Sequence, residues 1–257
     1  MLKIGKINFA NLFPIFHCLE KEHLYEIISG VPSELNSLIR EGKIDVSPSS
    51  SIEYLRHPEL YNLIEEHSVS SFGAIKSILL FSAYDISSLD GKTVLVSFQS
   101  ETSVALLKVI CYEFYGITVN VEISDTPLIE GLTTHPAYLL IGDNALFESR
   151  RSVVIGRKLY TYDLGQLWYE HTGLPFVFAL WIARKDCNPK LLSEFKISLM
   201  QAKKRALNTL SEIALLSPYP VAILSKDMLV SYWENISYDL TEKHMQGLKL
   251  FESYLKK

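Results

Sequence analysis

Short apolar runs alternate with longer segments of helical periodicity along most of the chain. The apolar runs have the length of buried strands, and the segments between them repeat apolar residues every three to four positions. The run 2–7, for example, precedes a helical pattern over 14–22 that starts at Pro14, a residue suited to the first turn of a helix. Strands that alternate with helices favour an α/β fold with mixed, mostly parallel sheets.

The same pattern predicts the remaining elements. Further strands are expected over 25–28, 44–46, 77–82, 93–96, 118–123, 137–141, 153–155 and 176–183. Further helices are expected over 33–40, around 52–55, and over 102–115, 164–171, 189–216, 222–234 and 241–255. Gly42, Gly116 and Gly173 come one or two positions after three of these helices, which is typical of a helix end.

Two strongly apolar runs, 77–82 and 176–183, bracket the middle of the chain. The simplest topology makes residues 1–84 and 180–257 one discontinuous lobe and residues 85–179 a second lobe, with the two apolar strands as the hinge. Ligands of open α/β sheets bind beyond the carboxyl ends of the strands, and a cleft between two lobes is a usual location. One continuous α/β domain is the alternative.

Composition and charge narrow the class of protein. The chain has 257 residues, a net charge of −4 and no long basic run, which argues against nucleic acid and membrane surfaces as partners. Cys18, Cys111 and Cys187 are far apart and show neither metal-site spacing nor a disulfide framework. The first residues alternate like a strand, without the apolar core of a signal peptide, and no apolar stretch reaches membrane-span length. We therefore expect a cytoplasmic protein.

Two helix starts have the chemistry to hold an anion. The first is the stretch 8–14 around Asn11, and the second is the stretch 100–105 with Thr102 and Ser103. A helix start exposes unpaired backbone N–H groups and the positive end of the helix dipole. Either start alone is more simply an ordinary N-cap. Together they predict a small carboxylated or phosphorylated ligand held between two lobes.

Eight segments match one known family in the order in which they occur. They are KIGKINFANLFP (3–14), GVPSELN (30–36), DVSPSSSIEY (45–54), SILLFS (77–82), TSVALL (102–107), IGDNAL (141–146), GLPFVFA (173–179) and NISY (235–238). These segments resemble the chorismate dehydratase family of the futalosine route to menaquinone. The resemblance implies a fold like that of type 2 periplasmic binding proteins, with two α/β lobes, a two-strand hinge and a deep cleft.

Four positions depart from the family pattern. Ala10 stands where leucine is common before the asparagine, and Ser49 replaces an aliphatic residue. Phe72 lies in a segment that lacks the usual acidic residue before Gly73, and Lys76 stands where glycine is usual. These departures bear on substrate contacts more than on the reaction.

The reaction implied by the resemblance is loss of water from chorismate to give 3-[(1-carboxyvinyl)oxy]benzoate. It makes the ring aromatic and implies neither a metal nor a cofactor. The partner of the protein is then a small dicarboxylate substrate, bound by a monomer or a homodimer. The protein has to position two carboxylates and stabilise developing charge.

Asn11 is the first candidate for the reacting centre. Its carboxamide donates and accepts hydrogen bonds but is a very poor base. We therefore expect Asn11 to orient the leaving hydroxyl or to stabilise developing charge, while the substrate's own enolpyruvyl carboxylate takes the proton. An asparagine that satisfies loop backbone is the alternative.

Asp143 is the second catalytic candidate, because it follows the predicted strand 137–141 at its carboxyl end. It either binds the ring hydroxyl, acts as acid or base, or caps the helix that follows. Thr102 and Ser103 are candidates for binding one substrate carboxylate through hydroxyl and N–H donors.

Ser50 and Ser51 are candidates for the same role in the other lobe, with helix capping as the alternative. Ser77, near a predicted hinge strand, either faces the cleft or is a core serine.

Two other functions compete with the dehydratase. A non-catalytic solute-binding protein would share the fold, but the lack of an export signal argues against it. The related 1,4-dihydroxy-6-naphthoate synthase opens with a proline-cysteine-asparagine-aspartate turn, which the turn over 10–14 does not match.

Overall fold

The computed structural model of the chain describes residues 1–21, 24–97, 101–155, 159–221 and 223–257. Its strands are β1 (Lys3–Ile7), β2 (Glu26–Gly30), β3 (Val46–Ser50), β4 (Tyr61–Ser71), β5 (Ile78–Ser82), β6 (Thr93–Val96), β7 (Asn120–Ile123), β8 (Ala137–Ile141), β9 (Tyr160–Asp163) and β10 (Phe176–Arg184). Its α-helices are α1 (Phe13–Glu20), α2 (Pro32–Arg40), α3 (Ser51–Arg56), α4 (Glu101–Val109), α5 (Leu128–Thr134), α6 (Gly142–Ile155), α7 (Leu164–Thr172), α8 (Pro189–Asn208), α9 (Leu210–Leu215), α10 (Lys226–Asn235) and α11 (Glu242–Leu255).

The chain divides into two compact units. The first unit comprises Met1–Ser70 and Val177–Thr241, and the second comprises Ser71–Phe176 and Glu242–Lys257. One five-stranded sheet has the order β2-β1-β3-β10-β4, and the other has the order β7-β6-β8-β5-β9. Both sheets mix parallel and antiparallel pairs. The predicted α/β class is confirmed.

The unit boundaries differ from the predicted lobes, 1–84 with 180–257 and 85–179, by three residues at Val177 and by whole elements at two other places. Strand β5 pairs with β8 and β9 along its length, so it belongs to the second sheet, and the division falls before it, at Ser71. Helix α11 lies in the second unit, where Phe251 contacts the rings of Trp168 and Phe176 at centroid distances of 6.1 and 4.9 Å. The apolar pattern indicated that both elements are buried. It could not show which sheet β5 joins or which unit α11 packs in.

The first unit is held by an aromatic core between its sheet and α8. Trp181 of β10 contacts Phe16 and Phe195 at centroid distances of 5.6 and 5.8 Å. All three rings are buried, and burial of a large apolar side chain contributes about 1.5–3 kcal/mol. The face that α8 buries repeats every three to four residues, as the sequence predicted: Leu192, Phe195, Leu199, Ala202 and Ala206.

The second unit has a core of its own. Leu79 and Phe81 of β5 pack with Leu95 of β6 and Tyr138 of β8 in one buried cluster. Strand β6 is parallel to both β7 and β8, whereas β5 is antiparallel to β8. The carboxyl ends of β6 and β8 therefore lie at the same edge of the second sheet.

Three differences in secondary structure have identifiable causes. The strand predicted over 153–155 is wrong, because α6 extends through these β-branched residues to Ile155. The helix predicted over 189–216 is divided at Thr209 into α8 and α9. Strand β4 was missed because Glu65, Glu66 and His67 interrupt its apolar pattern, and Glu66 has a φ of +65°.

Within the described ranges, no helix combines the length and the apolar character that a membrane crossing needs. Cys18, Cys111 and Cys187 are buried, and none of them forms a disulfide. Burial raises the pKa of Cys111 to about 12.

Candidate active site

The first unit gathers three of the candidate residues at one edge of its sheet. Strands β1 and β3 are parallel neighbours, so the segments that follow them lie at the same edge. The segment after β1 forms a short 3₁₀ turn, Ala10–Leu12, with Asn11 at its centre. Ser50 ends β3 and Ser51 begins α3.

The turn that carries Asn11 is fixed through its backbone. The indole Nε1 of Trp233 donates to the carbonyl oxygen of Ala10 at 2.7 Å, and the hydroxyl of Tyr238 donates to the carbonyl oxygen of Asn11 at 2.6 Å. The ring of Phe13 stacks on Trp233 at 6.2 Å. Burial raises the pKa of Tyr238 well above its ordinary value, so its hydroxyl stays a donor. The conformation of the turn therefore does not depend on the side chain of Asn11.

The side chain of Asn11 contrasts with that well-bonded backbone. Its Oδ1 atom is buried and accepts no hydrogen bond from any described residue. The turn has no side-chain cap at its start. The simpler interpretation of the sequence was that Oδ1 of Asn11 accepts a hydrogen bond from the loop backbone. No such bond forms among the described residues.

The serines at the end of β3 and the start of α3 do not cap the helix through their side chains. Ser50 occupies the N-cap position of α3 without a side-chain cap bond, and its Oγ instead accepts from Nδ2 of Asn36 at 3.0 Å. The buried hydroxyls of Ser49 and Ser51 have no hydrogen-bond partner within the described part of the chain. An unpaired buried polar group costs about 1–3 kcal/mol, so these hydroxyls are suited to bind a ligand or a water molecule.

The second unit gathers the other candidates. Thr102 and Ser103 lie in the first turn of α4, which follows β6, and both are buried. Asp143 lies in the first turn of α6, which begins directly after β8. The N–H of Gly142 donates to the carbonyl oxygen of Ser77 at 2.8 Å, which fixes Ser77 beside the start of α6. Each of these four candidate residues has an interaction partner.

The capping alternative for Asp143 does not match the helix that forms. Helix α6 begins at Gly142, one residue before Asp143, so Asp143 does not occupy its N-cap position. A carboxylate in the first turn is stabilised by the helix dipole. The first turn of α4 offers hydroxyls together with helix N–H groups, which is a usual arrangement for binding a carboxylate. Ser100, the first residue of the predicted 100–105 stretch, lies outside the described residues.

Sequence reasoning missed one carboxylate in the second unit, Asp163. Its Oδ1 accepts from the N–H groups of Gly165 and Gln166 at 2.9 and 3.2 Å, which makes it the N-cap of α7. Burial raises the pKa of Asp163, and backbone hydrogen bonds to its carboxylate oppose that rise. A local signal existed, because an aspartate directly before an apolar helical pattern is a usual cap.

The fold and the polar edges define a class of protein. Two α/β units, with polar groups at the carboxyl ends of parallel strands, are typical of periplasmic-binding-protein-like folds. The chain is similar to protein AF1704 from Archaeoglobus fulgidus, with a TM-score of 0.79, 16% identity and coverage of 99% of this chain and 96% of that one. It is also similar to the periplasmic aliphatic sulphonate binding protein SsuA from Escherichia coli, with a TM-score of 0.64, 11% identity and coverage of 99% and 86%. The predicted periplasmic-binding-protein-like fold, with two α/β units, is confirmed.

The sequence identifies the family within that class. The chain belongs to the menaquinone biosynthesis family, whose model matches residues 2–257. It is 31% identical to the chorismate dehydratase of Thermus thermophilus, over 98% of this chain and 94% of that protein. The resemblance drawn from the eight segments is therefore confirmed.

Proposed function

We propose that this protein is a carbon–oxygen lyase that dehydrates chorismate to 3-[(1-carboxyvinyl)oxy]benzoate in menaquinone biosynthesis. The observation that carries the proposal is the 31% identity to a chorismate dehydratase over 98% of the chain. The match of residues 2–257 to the menaquinone biosynthesis family supports the same pathway.

The proposed reaction is an elimination that needs no external reactant. A proton leaves the ring carbon that bears the enolpyruvyl ether, and hydroxide leaves the neighbouring carbon as water once it takes up a proton. The electron pair of the broken C–H bond completes the aromatic ring. Oxidation and reduction balance within the ring, so the step requires no redox cofactor.

Asn11 acts on this elimination by orienting or stabilising the departing hydroxyl. The buried Oδ1 of Asn11 has no partner among the described residues, which supports a role toward a ligand. Because a carboxamide is not a base, the enolpyruvyl carboxylate of the substrate accepts the ring proton. Asp143 binds the ring hydroxyl or supplies the proton that turns it into water.

The remaining candidates bind the carboxylates. Thr102 and Ser103, in the first turn of α4, offer hydroxyl and N–H donors to one of them. Ser50 and Ser51 offer hydroxyls at the edge of the first sheet, and Ser77 contributes beside the start of α6.

The proposal is tested by incubating the purified protein with chorismate and analysing the mixture by mass spectrometry. We expect a product that is lighter by one water and that keeps the enolpyruvyl group. Binding of chorismate in a calorimeter without any product would favour a solute-binding protein instead. Release of pyruvate, or a rearranged isomer of unchanged mass, would show that a different reaction is catalysed.

We also infer a cytoplasmic location, which the buried cysteines, none of which forms a disulfide, and the proposed biosynthetic role support. The protein acts as a monomer or a homodimer, and light scattering coupled to gel filtration distinguishes the two.

A further inference from the structure

The loop between β4 and β5 holds a conformation that its sequence does not favour. Lys76 has a φ of +66°, in the left-handed region, and Gly73 has a φ of +99°. A side chain in that region is strained by about 1 kcal/mol relative to glycine. Such a conformation persists only where surrounding contacts impose it.

Asp163 imposes it through both carboxylate oxygens. Its Oδ1 accepts from the N–H of Ile75 at 3.0 Å, and its Oδ2 accepts from the N–H of Lys76 at 2.6 Å. With the two N–H groups of the α7 cap, one half-buried carboxylate binds four backbone donors. The carboxylate therefore ties the loop directly to the start of α7.

The loop packs closely against the start of α7. A methyl group on Gly165 would lie 2.6 Å from the carbonyl oxygen of Gly73 and 2.8 Å from Oγ of Ser71. The same Ser71 hydroxyl donates to the carbonyl oxygen of Gly73 at 2.7 Å. A side chain at position 165 would prevent this approach, so the close packing of the loop against α7 requires glycine there.

The loop ends at a residue of the candidate site. Ser77 follows Lys76 directly, and its carbonyl oxygen accepts from the N–H of Gly142 at the start of α6. A continuous set of hydrogen bonds thus runs from Asp163 through the backbone of Lys76 and Ser77 to the helix turn that carries Asp143.

We propose that Asp163 is a positioning residue that fixes the loop before β5, so that Ser77 is held in place to bind chorismate. This inference rests on the proposed function. Asp163 acts through Ser77 and does not itself touch the substrate, because both of its oxygens are occupied by backbone donors.

Asp163→Asn is the sharpest variant. Three of the four donors converge on Oδ1, so the amide oxygen stays there and the cap of α7 is kept. The new NH₂ group then faces the N–H of Lys76, and only that bond is lost. We expect kcat/KM for chorismate to fall about tenfold, since small displacements of binding groups are costly.

The decisive readout is a double-mutant cycle with Ser77→Ala. Asp163→Asn should lower kcat/KM by less than about twofold when Ser77 is already alanine, because the two substitutions remove the same contribution. Full additivity would overturn the inference, as would wild-type kinetics in Asp163→Asn or a silent Ser77→Ala.

A rescue variant covers the case in which Asp163→Asn folds poorly. Lys76→Gly in that background should recover folding and at least part of the lost rate, because glycine adopts the left-handed conformation without strain. No recovery would contradict a role for Asp163 in imposing the loop conformation.

Asn188→Ala is the matched control, because Asn188 caps α8 through the N–H groups of Lys190 and Leu191. It should lower the melting temperature and leave kcat/KM unchanged. A wild-type protein that forms no product would refute the proposed function alone. The positioning role is then judged by the calorimetric affinity of the same variants for chorismate, with the same expected non-additivity.

Discussion

The two units position the polar residues at their strand ends in different ways. Each presents polar residues at the carboxyl ends of parallel strands in a five-stranded sheet. In the first unit, Trp233 and Tyr238 hold the turn through carbonyl oxygens, and Oδ1 of Asn11 is buried without a partner in the described part of the chain. In the second unit, the carboxylate of Asp163 holds the loop through N–H groups.

This difference separates two tasks in one proposed reaction. In the first unit, buried polar side-chain atoms have no hydrogen-bond partner among the described residues, which suits a group that acts on the reacting atoms. In the second unit a half-buried carboxylate accepts backbone N–H groups, which suits the firm placement of binding groups. Substitutions in each unit can contradict this distinction.

Gly247→Ala should destabilise the second unit by about 3 kcal/mol, because the added methyl group would overlap the carbonyl oxygen of Pro175. Denaturant unfolding measures the change. Lys249→Ala, on the exposed side of the same helix, is the control and should be nearly neutral. If Gly247→Ala instead stabilised the protein, as helix propensity alone predicts, the packing of α11 in the second unit would be wrong.

Asn11→Ala should lower kcat for chorismate dehydration about a hundredfold, the usual effect of removing one group that stabilises developing charge. Its stability should change little, because the turn is held by Trp233 and Tyr238 through backbone atoms. Steady-state kinetics and a melting curve give both quantities. An unchanged kcat would remove Asn11 from the chemistry and with it the distinction between the units.

His67 should make the first unit sensitive to acid. Burial, aided by the charge of Lys203, lowers the pKa of His67 to about 4. Between about pH 6.5 and pH 4 the unfolded chain therefore binds a proton that the folded chain does not, and stability is lost as the pH falls through that window. We expect His67→Gln to reduce this loss by about 2 kcal/mol.

The measurement is the free energy of unfolding of wild type and variant at several pH values between 7 and 4. His57→Gln serves as the control, since His57 is only half-buried. An identical pH dependence in wild type and His67→Gln would show that His67 is not buried as described.

Lys76→Gly should stabilise the protein by about 1 kcal/mol, because it relieves a left-handed backbone conformation. Glu66→Gly, at a φ of +65° in the first unit, should gain a similar amount. Lys92→Gly, outside the left-handed region, should lose stability through backbone entropy. A loss at Lys76 equal to that at Lys92 would contradict the strain assigned to the loop.

The sequence predicted most elements because apolar periodicity is a local property. Strands β6 and β8 have the expected bounds, and α7 ends at Gly173 as expected. The pattern could not assign β5 or α11 to a unit, because the partner of a buried strand or helix is decided by contacts far along the chain. The pattern also could not predict β4, because charged residues interrupt its apolar positions. The left-handed backbone at Glu66 further departs from a regular strand.

The candidate residues show the same limit. Helix starts and strand ends are local signals, so Asn11, Thr102 and Asp143 could be proposed from them. The contacts of Asp163 with Ile75 and Lys76 span 88 and 87 residues, and only the helix cap was readable beforehand. The pairing of Asn36 with Ser50 likewise joins two elements that no motif connects.

The most direct test of the proposed function uses chorismate that carries deuterium on the ring carbon bearing the enolpyruvyl ether. We expect 3-[(1-carboxyvinyl)oxy]benzoate that has lost this deuterium together with the neighbouring hydroxyl, formed far more slowly by Asn11→Ala. A product that keeps the deuterium, or a folded protein that binds chorismate and releases it unchanged, would contradict it.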